Sequence, residues 1–361
     1  MEFSNNEIKA KQEALSLNIV DYNLNEVWNS HWLIGSLRKD INPLVELKLK
    51  SADIPFDPQD LEHQVLFFLT TYSPGKITHK IIEEVVEQQY LVIRDRLLKA
   101  MTKDELEYLF RGLKPFYPDL NTLYRLKIEN RADKIFATGD GRCFEVEFKK
   151  IDDPRIISCF TGSLHYIHQE RIEGDTFALF FKGDQYPWAI ETTEKSTNSR
   201  QYKRNTLLAY GINPDKAVEL TRLYTLPGSP LNAISLLDKL VKKYYQENSD
   251  VEALFTCTMP SYSKSKSTTI AGGINNVLCI KEALHYFIQK NIDEKVCWEA
   301  VTKRWIDKSK DESIEFRKTD QDFKLLPVID VFMPIKKLKT EPLPVLKDGK
   351  KVIFYKQNEQ I

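Results

Sequence analysis

Asp133, Glu147 and Lys149 are the residues whose types and spacing most directly suggest chemistry. In an extended chain, residues two apart lie on one face, so Glu147 and Lys149 point the same way and Glu145 joins them. Two carboxylates held across a hairpin can bind Mg²⁺, with the lysine positioning or activating a water for phosphodiester hydrolysis. The plainer reading of alternating Glu and Lys is the solvated face of a strand. A second group is basic: Lys195, Arg200, Lys203 and Arg204 surround Tyr202, and Lys264 and Lys266 follow Tyr262. Cations interleaved with an aromatic ring suit phosphate neutralisation and base stacking, although a polar loop of this length is also an ordinary solvated segment. His165 and His168 can share a helical face, but no third ligand accompanies them, so they define no metal site.

The chain that must position these groups has 361 residues, with 52 Lys+Arg against 52 Asp+Glu. That length suggests about two domains and a sizeable core. The balanced charge argues against a generally basic nucleic-acid coat and leaves room for a local basic groove. Five cysteines, Cys143, Cys159, Cys257, Cys279 and Cys297, are widely spaced, and no C-x-x-C occurs. Neither a zinc knuckle nor a thioredoxin-like motif is expected. The first residues show no basic and apolar leader, and no apolar run approaches the roughly 18 residues that span a bilayer. A cytoplasmic protein with no membrane partner is therefore expected.

Residues 1–140 carry 18 Lys+Arg against 22 Asp+Glu and read as mainly helical. Residues 60–71 offer one apolar helical face, and Ser73-Pro74-Gly75 ends it. Thr78 can cap a helix bearing Ile81, Ile82, Val85 and Val86. A further stretch runs through 91–98, and Thr102-Lys103-Asp104-Glu105 has the form of a capping box. These helices fit a helix-turn-helix or winged-helix module, or a plain bundle. From 124 the period changes to two. Strands are expected near 124–129, 135–137, 143–148, 176–181, 187–190, 217–225, 251–259 and 328–332, with turns at Asp140-Gly141 and Gly183-Asp184. A helix from 153 to 168 should start at Asp152 or Asp153 with Pro154 in its first turn. Ser229 and Pro230 should open an amphipathic helix carrying Leu231, Ile234, Leu237, Leu240, Val241 and Tyr244. Two further helices are expected at 280–290 and 294–308, and a last hairpin turns at Asp348-Gly349.

From 142 onward the predicted order is strand, helix, three strands, a loop, helix, buried strand and helix. This order resembles the GNAT acyltransferase fold. It is most similar to the Mom-type adenine-modification proteins of phages. Leu164-His165-Tyr166 stands where that family carries His-Tyr, and 219–224 is similar to its fourth strand. Pro230-Leu231-Asn232-Ala233-Ile234-Ser235 resembles its Pro-x-Asn-Ser-x-Ser at a helix start. Thr258-Met259-Pro260-Ser261-Tyr262 and 270–274 match its polar turn and small-residue helix. The likeness covers roughly 142–275. The usual pyrophosphate loop, Arg/Gln-x-x-Gly-x-Gly/Ala, is replaced by Gly228-Ser229-Pro230-Leu231-Asn232.

The resemblance implies an α+β protein: a helical domain over 1–123, a GNAT-like mixed sheet flanked by helices over 124–295, and a helix and strand extension over 296–361. It implies transfer of an acyl or related group to an amine, such as a nucleobase amine of DNA or RNA in a phage-modification or defence setting. The donor would be acetyl-CoA or another acyl donor, held by Arg222, Gly228, Ser229, Asn232 and Ser235. His165, Tyr166 and Ser261 would serve catalysis, and the two basic loops would hold nucleic acid. No metal is expected on this reading. Two alternatives stand beside it. One is a Mg²⁺-dependent DNA nuclease of the PD-(D/E)xK type built on Asp133, Glu147 and Lys149. The other is a non-catalytic nucleic-acid-binding or defence-complex component.

Overall fold

The computed structural model describes residues 19–20, 34–55, 57–71, 75–110, 126–139, 141–165, 173–195, 204, 207–208, 210–226, 229–259, 262, 276–281, 285–292, 295–302, 323–325, 328–335 and 352–353. The architecture is mixed α/β. Four helices come first: α1 (Gly35–Lys50), α2 (Pro58–Thr71), α3 (His79–Ala100) and α4 (Lys103–Leu109). The Thr78 hydroxyl caps α3 by accepting from the Ile81 N–H. Helix α3 runs unbroken where the sequence suggested two stretches. Its apolar positions, Ile82, Val85, Val86, Ile93 and Leu97, keep one face in register throughout. The capping box at Thr102 and Glu105 forms as expected.

These helices share one buried apolar core with the main sheet, from Leu37, Val65 and Ile93 through to Phe160, Leu179 and Leu237. That sheet has nine strands: β3 (Lys127–Arg131), β4 (Lys134–Gly139), β5 (Arg142–Ile151), β6 (Asp175–Phe181), β7 (Ala189–Lys195), β8 (Ala217–Thr225), β9 (Ala253–Thr258), β10 (Asn276–Lys281) and β14 (Val328–Pro334). They run in the order β10-β14-β9-β8-β7-β6-β5-β4-β3. Every pairing is antiparallel except β8 with β9. A parallel pair needs a crossover, which helix α6 (Ala233–Asn248) supplies. A smaller four-stranded sheet joins β2 (Gly75–Ile77), between α2 and α3, to β11 (His285–Ile292), β12 (Lys295–Thr302) and β13 (Phe323–Leu325). A two-residue strand β1 (Ile19–Val20) pairs with β15 (Val352–Ile353).

Three expectations are corrected. The stretches 280–290 and 294–308 are not helices; β11 and β12 pair residue for residue from His285↔Thr302 to Ile292↔Lys295. Their runs of aromatic and β-branched residues favour a pleated pairing once a partner strand is present. The helix after Asp153 starts as expected, with the Asp153 carboxylate accepting from the Arg155 N–H at 2.9 Å. As α5 (Pro154–Ser158) it then widens into a π-helix, Cys159–Leu164, and stops before His165. Finally, α6 begins at Ala233, after Ser229 and Pro230. The Ser229 Oγ instead donates to the Trp188 carbonyl at 3.0 Å and to the Leu226 carbonyl, which holds the loop and leaves the helix start without it. The expected turn at Asp348-Gly349 lies outside the described residues.

Candidate functional site

The β8–α6–β9 unit builds the most distinctive local geometry. Strands β8 and β9 are paired only at Ala217↔Ala253, Val218↔Leu254 and Glu219↔Phe255. Beyond that, the Thr256 hydroxyl donates to the Leu220 carbonyl at 2.8 Å, and the ladder ends. Strand β8 runs on to Thr225 with β7 as its one ladder partner among the described residues. A β-bulge helps it turn away. Thr192 and Thr193 of β7 face Arg222 and Leu220, leaving Thr221 as the extra residue. The Thr221 hydroxyl satisfies the bulge by donating to the Thr192 carbonyl at 3.2 Å. Among the described residues, β8 beyond Glu219 is therefore laddered on one edge only, inside a nine-stranded sheet.

Helix α6 starts near the end of β8. Its N-cap, Asn232, sits in the left-handed region at φ 67° and makes no side-chain cap. Asparagine tolerates that conformation better than most residues. Asn232 is exposed, and Ser235 lies half-buried in the first turn. Arg222 is buried on β8 opposite Thr192, and its guanidinium donates to the Thr221 carbonyl. Thus Arg222, Ser229, Asn232 and Ser235 lie along one strand–loop–helix passage. Gly228 is outside the described residues.

Helix α2 crosses the face of this opening opposite α6. At its first turn, the Tyr224 hydroxyl of β8 donates to the Asp60 carboxylate. In its middle, the Gln64 amide donates to the Ser163 and Leu164 carbonyls, satisfying acceptors at the end of the π-helix. Near its end, Thr70 and Tyr262 hydroxyls are 2.6 Å apart, and the Phe67 and Tyr262 rings meet edge to face. Tyr262 follows β9, so α2 is fastened to the strands on both sides of the gap. The buried ion pair of Arg38 on α1 and Glu62 on α2, at 2.9 Å, adds a bond from Arg38 to the Tyr262 carbonyl.

Burial sets the protonation of several groups here. Burial, and next the Asp57 charge, push the Asp60 carboxyl well above the ordinary carboxylate range, against the pull of the Tyr224 hydrogen bond. Burial and the two aspartates hold the Tyr224 phenol protonated. Burial pushes the Cys159 thiol up to about 12, so it is a neutral core residue. On the other face, Glu191 of β7 and Asp238 of α6 are fully buried against each other. Among the described residues, no N–H or hydroxyl of a third residue reaches either carboxyl, and the protonated Glu191 carboxyl serves as donor to Asp238. Burial and mutual repulsion hold Glu191 protonated well above its usual range, and burial pushes Asp238 up to about 7.

The remaining candidates are placed as follows. His165 is buried at the end of the π-helix, its N–H bonded to the Phe160 carbonyl at 2.9 Å. Tyr166 and Ser261 lie outside the described residues, as do Arg200, Tyr202, Lys203, Lys264 and Lys266. Lys195 is exposed at the end of β7, and Arg204 is held by Asp215 at 2.6 Å. Glu147 and Lys149 do come together, as a 2.6 Å ion pair with the lysine also over the Phe180 ring. Glu145 is bound by Lys134 and Lys182. Asp133 sits exposed in the β3–β4 turn. Among the described residues, no three His, Cys, Asp or Glu side chains gather as a metal would require. No described helix is long and apolar enough to cross a membrane.

Asp60, Glu191 and Asp238 were not singled out from the sequence. Asp238 had a signal: it falls on the stripe of Ile234, Leu237 and Val241, where a carboxylate is out of place. Glu191 and Asp60 had none, since strand pairing buries the one and helix docking half-buries the other. Comparison with family models finds no match, and neither does comparison with curated proteins.

Proposed function

We propose that this chain is a GNAT-like transferase that moves an acyl or related group from a thioester donor such as acetyl-CoA to an amine. The observation that carries the reading is the parting of β8 and β9 beyond Glu219 and Phe255, joined by the crossover helix α6. The resemblance places the donor in such a splayed pair. A strand edge that β9 does not ladder can offer backbone donors and acceptors to an extended amide-bearing arm. Arg222 and the 228–232 loop, with the start of α6, would hold the donor's phosphates. Transfer then needs mainly positioning and removal of one proton from the amine.

The acceptor class that fits the sequence best is a nucleobase amine. The support is the basic character of 195–204 and 264–266. With 52 cationic and 52 anionic side chains overall, any grip on nucleic acid is local. Affinity should therefore fall steeply with salt. The N-terminal helices, fastened across the cleft by α2, would form a wall of the acceptor side.

Calorimetry with acetyl-CoA and CoA tests the donor site. Binding should weaken on Arg222→Ala. On Asn232→Asp it should weaken by about 1–2 kcal/mol through like-charge repulsion at the helix start. Binding unchanged by both substitutions would place the donor elsewhere, and no binding would remove the reading.

A further inference from the structure

We propose that Tyr224 and Asp60 are the proton-accepting pair of this transfer, Tyr224 touching the acceptor nitrogen and Asp60 receiving the proton through it. The inference rests on the transferase reading. Tyr224 projects from the stretch of β8 whose outer edge has no β9 partner. It lies on the sheet face that α2 and the π-helix cover, with its ring edge-on to Phe160 at 5.8 Å. Its hydroxyl is buried beneath α2, beside the stretch of β8 along which a donor would lie.

Asp60 is suited to receive the proton. Among the described residues, the Tyr224 hydroxyl is its hydrogen-bond partner, and no lysine or arginine acts on its charge. The residue as a whole is half-buried at the start of α2. Among the described residues, the titratable groups that act on the pair are Asp57, just before α2, and Cys159 on the π-helix. Asp57 raises the proton affinity of Asp60, and Cys159 stays neutral. A purely structural carboxylate would more often be neutralised by a cation or by backbone N–H groups.

The step balances as follows. The amine lone pair attacks the thioester carbonyl carbon, forming C–N. The surplus proton on nitrogen passes to the Tyr224 oxygen as the Tyr224 proton passes to Asp60. The C–S bond breaks with its electron pair on sulfur. The thiolate then takes up a proton, and Asp60 releases one, leaving amide and free thiol.

The test uses the full chain with acetyl-CoA as donor, and with a single-stranded DNA oligonucleotide and spermidine as amine probes. Thiol release is followed from pH 6 to 9, and acetyl-CoA affinity is measured in parallel. Asp60→Asn should leave donor affinity unchanged, cut thiol release by about 10²–10⁴-fold and abolish the acid limb of the kcat/KM profile. Tyr224→Phe should also keep donor affinity while slowing release. Normal release with the acid limb intact in Asp60→Asn overturns the pair and leaves the transferase reading standing. Donor binding by the wild type without thiol release to either probe also overturns the pair alone. Failure of the wild type to bind acetyl-CoA overturns the transferase reading, and the pair with it.

Discussion

Replacing Glu191 with glutamine should make the protein more stable at neutral pH, by an amount that grows with pH. Glu191 and Asp238 face each other in the core between β7 and α6, and among the described residues no third residue donates to either carboxyl. In the unfolded chain both titrate in water near their ordinary values. In the folded chain Asp238 holds its proton up to about 7, and Glu191 holds its own well above its ordinary range. A carboxyl whose folded value is raised contributes fully below the unfolded value, and that contribution is lost as pH rises toward the folded value. The loss is about 1.4 kcal/mol per pH unit for each such group. For Asp238 this amounts to on the order of 4 kcal/mol between its ordinary value and neutrality. Glutamine removes the Glu191 titration and offers Asp238 an amide donor, so the variant should escape most of the loss. From pH 5 to 7 its advantage should grow by about 3 kcal/mol. At an unfolding entropy of about 2.1 cal/mol/K per residue, that corresponds to about 4 °C in Tm. Calorimetric or fluorescence melts of both proteins at half-unit pH steps supply the measurement. A Tm difference that stays constant from pH 5 to 7.5 would refute the argument and imply that a cation or water neutralises the pair.

Three further outcomes follow from the packing. Gly174 has φ +91°, and a Cβ there would lie 2.0 Å from the Thr193 carbonyl oxygen, so Gly174→Ala should cost on the order of 3–5 kcal/mol in urea unfolding. A wild-type midpoint in that variant would mean that the β6–β7 end relaxes freely. Ala132 takes φ 54° in the β3–β4 turn, so Ala132→Gly should gain about 0.5–1 kcal/mol, read as a higher urea midpoint at equal slope. Arg38→Ala strands the buried Glu62 carboxylate and should cost about 3–5 kcal/mol, whereas Arg38→Met with Glu62→Leu should recover most of it. Equal losses in the single and double variants would show that the Arg38 bond to the Tyr262 carbonyl matters more than the ion pair.

The local half of the fold was legible because its signals are short-range. Thr78, Thr102 and Asp153 cap helices where their hydroxyl or carboxylate meets an orphan N–H within three residues. Alternating Ala217–Thr225 forms a strand with those bounds. The turn between β4 and β5 has Gly141 at φ 75°, as a tight hairpin needs. The candidate site was legible only along the chain, as Arg222, Ser229, Asn232 and Ser235 following one another. The β11–β12 hairpin was misread because each strand is defined by its partner, and a single segment does not reveal pairing.

By itself, the sequence determined the composition class, the caps, the turns and the run of strand, loop and helix through 217–248, all of which depend on neighbours a few residues apart. Tertiary structure decided where β8 and β9 stop pairing, because that depends on a bulge at Thr221 set by the register with β7. It also decided that α2 would be fastened to Tyr224 on one side of the gap and Tyr262 on the other, at separations of 164 and 192 residues. The same packing made ordinary carboxylates unusual. Asp60, Glu191 and Asp238 are unremarkable in sequence, and their protonation changes because folding removes water and supplies few donors in its place.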